Sequence, residues 1–151
     1  MITSSGLLVY RTRKQQLEVF LVHPGGPFWK NKDLGAWSVP KGIPDEHEDL
    51  LEAAKREFKE ETGSEIEGDF MALSPIKQKN GKTVYAWAVE GDIDPATVQS
   101  NMITIEWPPK TGKTIEIPEV DRGEWFVTDE AKLKINPKQA PFIDELIRLK
   151  K

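Results

Sequence analysis

The stretch that most constrains this chain runs from Gly42 to Gly63: Gly-Ile-Pro-Asp-Glu-His-Glu-Asp-Leu-Leu-Glu-Ala-Ala-Lys-Arg-Glu-Phe-Lys-Glu-Glu-Thr-Gly. Asp49, with Glu52 three residues on, has the form of a capping box that starts a helix. Leu50, Leu51, Ala54 and Phe58 then recur at about 100° per residue and form one core-facing stripe. Glu57 and Glu61 lie beside that stripe, aimed at the edge of the packed body, while Lys55 and Lys59 turn to water. Arg56 falls near Glu52 and Glu60 on the same wheel and can hold one of them through a forked hydrogen bond. Gly63 suits the left-handed position that ends a helix.

The charge of this helix is at the wrong end. Glu57, Glu60 and Glu61 crowd the last turns, where the macrodipole is negative and each carboxylate is opposed by roughly a few tenths of a kcal/mol. Glu57 also repels Glu61 at i,i+4 and Glu60 at i,i+3. A helix that only had to fold would carry Lys or Arg here. A bound hard cation relieves the repulsion, and a cluster of carboxylate oxygens suits Mg²⁺ or Mn²⁺.

Gly42, five residues, Glu48, seven residues, Arg56-Glu57, Phe58, Lys59, Glu60-Glu61, Thr62, Gly63 resembles the Nudix box, the signature of hydrolases that cleave nucleoside diphosphates linked to another group. Seven fixed residues agree, and at ordinary residue frequencies the chance of this at a given start is on the order of 10⁻⁸ or lower. The family favours an aliphatic residue after the final glycine, whereas this chain has Ser64, a departure at a packing position that could loosen the strand that follows. Trp37-Ser38-Val39-Pro40-Lys41-Gly42 resembles the strand leading into many such boxes. Glu106-Trp107-Pro108-Pro109, Pro118 to Arg122 and Trp125-Phe126 resemble later segments of a bacterial-type subgroup.

Composition fits one compact unit over residues 1–151, a length that can bury a single good core. No apolar run is long enough to span a bilayer, and Met1 to Gly6 lacks the basic region and cleavage site of a signal peptide. With no cysteine there is neither a disulfide framework nor a thiolate metal site, and a cytoplasmic setting is the default expectation. A net charge of −4 argues against a stable nucleic-acid partner, whose footprint is usually basic. No membrane partner is expected either, and the oligomeric state is left open.

Gly6–Tyr10 and Leu17–Val22 read as strands joined by a charged turn, and Pro24 to Pro27 opens a loop through Trp29, Lys30 and Lys32. Ala36–Lys41 is expected as a short strand. Phe70–Gln78 and Thr83–Val89 flank Asn80-Gly81, a dipeptide that favours a type I′ hairpin. Ile103–Trp107 and Gly123–Val127 complete the strands. Pro137–Lys150 reads as an amphipathic helix with Phe142, Ile143, Leu146 and Leu149 inward. Mixed strands with one internal and one terminal helix indicate a layered α/β body. The resemblance implies the Nudix α/β/α sandwich with a mixed sheet over essentially the whole chain.

It also implies roles. Glu57, Glu60 and Glu61 become the expected ligands of one or more Mg²⁺ (or Mn²⁺) ions, with a backbone carbonyl near Lys41–Gly42 completing the shell. A glycine at 42 lets the backbone approach the metal closely. Arg56 is expected to orient a box glutamate, a purely structural salt bridge being the alternative, and Lys41 to meet a phosphate as a point charge unless it is simply solvated. The general base lies either in the box or on a later glutamate. Glu106, stiffened by Trp107-Pro108-Pro109, is the preferred later candidate, against an ordinary exposed edge-strand carboxylate, and Glu119 is a weaker one. Tyr85 and Trp37 are expected to stack on a nucleotide base, Trp87 and Trp125 to pack in the core, and His23 and His47 to be structural or surface residues. The expected function is Mg²⁺-dependent hydrolysis of a pyrophosphate linkage in a nucleotide substrate, dinucleoside polyphosphates and nucleoside triphosphates leading. The alternative is a catalytically idle module that binds a nucleotide and regulates something else.

Overall fold

A computed structural model of the protein describes residues 2–151. Its central sheet is built on β1 (Ile2–Arg13), β2 (Gln16–Pro24), β6 (Lys82–Glu90) and β9 (Val120–Val127). β1 pairs in parallel with β6 and antiparallel with β2, which in turn pairs antiparallel with β9. Three two-residue strands fill the edges: β3 (Lys41–Gly42) on β1, and β4 (Met71–Ala72) and β5 (Ile76–Lys77) on β6.

Leu7-Leu8-Val9-Tyr10 is apolar at every position because β1 is covered on both faces. Leu7 and Val9, with Phe20 and Val22, pack under the helix α1 (Leu50–Thr62) against Ala54 and Phe58. Leu8, Tyr10, Val19 and Leu21 face the other way, onto Trp37, Phe126 and the helices α2 (Thr128–Lys134) and α3 (Ala140–Leu149) through Ala131, Phe142, Ile143 and Leu146. The strand alternation thus feeds two cores, and the expected α/β/α sandwich with a mixed sheet is what forms. A separate two-stranded hairpin, β7 (Met102–Glu106) with β8 (Thr114–Pro118), stands off the main sheet.

Several expected elements differ. Only Lys41–Gly42 of the segment leading into the helix is strand: Ser38 makes an isolated bridge to Val22, and Pro40 has no N–H to continue a ladder. Phe70–Gln78 is broken at Leu73-Ser74-Pro75, where the Ser74 N–H donates to Glu145 of α3 at 2.8 Å. The Asn80-Gly81 turn is not type I′, since of the two residues only Gly81 has positive φ (87°). Gly81 N–H donates to the Gln78 carbonyl and Gln78 N–H to the Lys82 carbonyl. This is the three-residue loop in which a residue in the left-handed region follows a type I turn. β8 and α2 were not foreseen. The closing helix starts later than Pro137, after a 3₁₀ turn at Pro137–Gln139, and Leu149 is 50% exposed rather than inward.

Candidate active site

The cap of α1 forms as expected: the Asp49 carboxylate accepts the Glu52 N–H at 3.1 Å, and Gly63 closes the helix at φ 79°. Across this helix end runs the start of β3. A Cβ on Gly42 would overlap the Glu57 carboxylate, so no other residue lets the backbone pass so close to that side chain. Glycine is required here by a close approach of backbone to carboxylate, which is the geometry expected around a shared cation.

Glu57 and Glu61 are buried, at 8% and 3% exposure, whereas Glu60 is open to solvent. Burial, then the neighbouring charge of Glu60, raises the Glu57 carboxyl above its ordinary range. Burial, then Glu119 and Glu57, pushes Glu61 up to about 9, with the Lys41 ammonium and a backbone hydrogen bond from Lys41 opposing. Among the described residues the Glu61 Oε2 is buried with no hydrogen-bond partner. An orphaned carboxylate oxygen facing other carboxylates is costly unless a cation or proton joins it. The donor set is hard oxygen throughout, so these residues fit Mg²⁺ or Mn²⁺. Among the described residues no three acidic or histidine side chains converge on one point at coordinating distance. Arg56 accounts for part of this, because its Nη1 donates to Glu57 at 3.0 Å and to Glu60 at 3.2 Å.

The Arg56 fork closes on a residue the wheel did not suggest. Nε and Nη2 donate to the two oxygens of Glu48 at 3.0 and 2.9 Å, while Glu52 pairs with Lys55 instead. Glu48 lies before the helix, so a helical wheel could not bring it to Arg56. Its fixed place in the box was the available signal. Hydrogen bonds from Arg56 and the Asp45 N–H hold the Glu48 carboxyl down at about 2. Glu48, Arg56, Glu57 and Glu60 thereby form one connected charged group.

Of the two later glutamates, Glu119 and not Glu106 lies beside the box carboxylates. Glu106 turns its carboxylate onto its own hairpin loop, accepting N–H bonds from Lys110 and Gly112 at 3.0 Å each, and lines none of the cavities around α1. The prolines that seemed to hold it over the site belong to the loop it caps. Glu119, at the foot of the hairpin, faces Glu57 and Glu61 closely enough to raise both. Asn101 fixes it: Nδ2 donates to Glu119 Oε1 at 3.1 Å, and Glu119 N–H donates to the Asn101 carbonyl. The Asn101 N–H in turn donates to the Glu60 carbonyl at 2.8 Å, and Gln99 N–H to that of Thr62, so the hairpin foot caps the end of α1.

Two cavities meet at this point. The larger, about 640 Å³, is lined by Gly42, Glu57, Glu60 and Glu119 among others; the smaller, about 240 Å³, by Glu61, Glu119 and Trp29 among others. Lys41 borders both. The expected stackers are not there. Trp37 is 1% exposed, packed edge-on to His23 and Phe126 with its Nε1 donating to Asp33, because the chain after Ala36 tucks under Ile135 rather than forming an open strand. Tyr85 sits on the α1 side of the sheet in a separate depression with Pro44 and Leu50. Trp29, the aromatic residue that does border the site, lies in a loop whose course the sequence did not reveal. His23 is a buried structural residue bonded to Asp121 and the Lys32 carbonyl, and His47 is exposed. Trp87 and Trp125 pack against the core under α1.

Comparison with known proteins places this geometry. Residues 2–146 match the family model for the NUDIX domain. Nucleoside diphosphate-linked moiety X motif 6 of Xenopus laevis is 41% identical over 51 residues, which is 34% of this chain and 23% of that protein, so the match spans under a quarter of the relative's length. Among solved structures, an Ap4A hydrolase of C. elegans in a binary complex superposes with TM-score 0.66 at 21% identity, covering 99% of this chain and 97% of that one. The NUDIX domain of Shewanella oneidensis NrtR, complexed with ADP ribose, gives TM-score 0.70 at 17% identity, covering 100% and 89%. With the box on α1, its glycine against Glu57 and the family model spanning nearly the whole chain, this protein belongs to the NUDIX family.

Proposed function

We propose that this chain, acting as a single domain, is a divalent-cation-dependent hydrolase that cleaves the pyrophosphate linkage of a nucleoside polyphosphate or a related nucleotide-linked diphosphate. One observation carries the reading. The buried, unpartnered Glu61 oxygen stands with Glu57 and Glu119 beside a glycine backbone that presses on the Glu57 carboxylate. Glu57, Glu60 and Glu61 would hold Mg²⁺ or Mn²⁺ with a backbone oxygen near Lys41–Gly42. The cation supplies charge neutralisation at the diphosphate and activation of the attacking water. The residues do the rest. Arg56, anchored on Glu48, orients Glu57 and Glu60. Lys41 meets a phosphate oxygen as a point charge. Glu119, steadied by Asn101, accepts the proton of the water as general base, the role first expected of Glu106. Trp29 offers a face to the base of the nucleotide.

The fold likeness to an Ap4A hydrolase and to an ADP-ribose-bound domain makes dinucleoside polyphosphates and nucleotide-sugar diphosphates the first substrates to try, alongside nucleoside triphosphates. Incubation of the protein with a panel of these in Mg²⁺, with products separated by ion exchange, tests the reading. Release of a mononucleotide from at least one supports it. One observation favours a second reading, that of a nucleotide-binding module without turnover: Arg56 already neutralises two of the box carboxylates. Tight binding with no product across the panel would establish that second reading.

A further inference from the structure

Ser5, Leu7 and Val9 alternate onto the face of β1 that α1 covers. Leu7 and Val9 join the core there, whereas Ser5, at 0% exposure, buries a hydroxyl where an alanine would pack without a polar group to satisfy. Among the described residues two buried side-chain polar atoms have no hydrogen-bond partner, Ser5 Oγ and Glu61 Oε2. Both belong to residues that adjoin β3. The Lys41 backbone donates to Glu61, and Ser5 stands directly opposite Gly42 in the β1–β3 register. Opposed residues of an antiparallel pair point to the same face, with Cβ positions about 5 Å apart. On that face the space a Gly42 Cβ would take is filled by the Glu57 carboxylate. The Ser5 hydroxyl and the Glu57 carboxylate are therefore neighbours under α1, and the glycine puts no side chain between them. Ser5 is also fixed from its other side, by parallel pairing with Tyr85 of β6.

We propose that Ser5 is a positioning residue for the cation site, its hydroxyl donating to the Glu57 carboxylate when that carboxylate serves a divalent cation. The cation itself rests on the hydrolase reading. Arg56 Nη1 holds Glu57 Oε1 at 3.0 Å and reaches Glu60 as well, which draws Glu57 toward the Glu48 side of the helix and leaves the serine without an acceptor. A buried hydroxyl in that position is costly until an acceptor turns to it. A ligating carboxylate needs its orientation fixed by further hydrogen bonds, and Ser5 supplies one from behind Gly42, opposite the guanidinium. The hydroxyl thus has opposite effects in the two states: it burdens the fold alone and favours the fold that holds a cation.

Ser5→Ala in the full-length protein separates these effects. Melted in chelator, the variant should be as stable as the wild type or more so, since the unpartnered hydroxyl is gone. Titrated calorimetrically with Mn²⁺, it should bind about tenfold or more weaker, the scale of loss for a group that orients a metal ligand. With the best substrate, the Mg²⁺ concentration at half-maximal rate should rise by the same factor, while kcat at saturating Mg²⁺ falls by less. Thr83→Ala, which removes another buried residue's hydroxyl from the sheet, should leave Mn²⁺ affinity unchanged. Wild-type Mn²⁺ affinity in Ser5→Ala would overturn the proposal and leave the hydrolase reading standing. A marked fall in the melting temperature of Ser5→Ala in chelator, or an equal loss of Mn²⁺ affinity in Thr83→Ala, would also overturn it, because the hydroxyl would then serve the fold. Absence of Mn²⁺ binding by the wild type would overturn the proposal and the hydrolase reading together.

Discussion

At the scale of single residues, two positions carry the most information. Gly42 is fixed by a neighbour 15 positions along the chain, since any side chain there would collide with the Glu57 carboxylate. Gly42→Ala should therefore leave a folded protein with displaced Glu57, and turnover should drop by about 10²-fold, the scale of loss that follows a small misplacement in an active site. Circular dichroism and kcat measured together check this. A near-normal kcat would mean the close approach has no catalytic purpose. Glu119 is the second. Glu119→Gln should lower kcat by about 10²–10⁴ with little change in KM and flatten the acidic limb of the pH–rate profile, as loss of a general base does. Glu106→Gln should do neither, because that carboxylate is engaged in its own loop. The reverse result would return the role to Glu106. Sequence alone could not rank these two. Both are glutamates beside prolines, and what separates them is Asn101, whose side chain reaches Glu119 across the 18 positions that the hairpin spans.

At the scale of elements, α1 was legible nearly to the residue: its cap, its apolar stripe and its glycine stop are all local signals. Arg56 was less so, because its strongest partner, Glu48, precedes the helix in an irregular turn. β8 was missed for a related reason. Its five residues are bounded by Pro118 and acquire meaning only by pairing with β7. The same helix stores a pH dependence. Glu61 in the folded protein titrates near 9 against an ordinary 4.5, so the native state keeps a proton that the unfolded chain releases. The resulting stabilisation is fully present below about 4.5 and is lost as pH rises through about 9. The cation-free protein should therefore melt progressively lower from pH 5 to 9, and Glu61→Gln should weaken that slope. Mg²⁺ competes with the proton for the same oxygens, so its stabilisation should grow with pH. Melting curves with and without millimolar Mg²⁺ at pH 6 and pH 9 measure both effects, and a Mg²⁺ shift larger at pH 6 would contradict them.

At the scale of the whole molecule, the fold brings to one edge of the sheet three pieces that are far apart in sequence: the end of α1, the glycine of β3 and the foot of the β7–β8 hairpin. The layered body itself was readable from the doubly apolar β1 and β2 and the two amphipathic helices. The placement of Trp37 was not. Ala36–Lys41 was expected as a short strand with Trp37 stacking on a base, whereas the Ile135 bridge draws the indole into the core beneath α2. Trp29 takes the position by the site because the loop after Pro24 folds back beside Glu119. The most direct test is the steady-state kcat of Glu61→Gln at saturating Mg²⁺ on the best substrate of the panel. If α1 serves a catalytic cation, turnover should fall by orders of magnitude while the cation-free variant melts no lower than the wild type near neutral pH, since a neutral amide replaces a buried carboxyl that must hold a proton to fold. Hydrolysis by Glu61→Gln at the wild-type rate would contradict the assignment of this helix to catalysis.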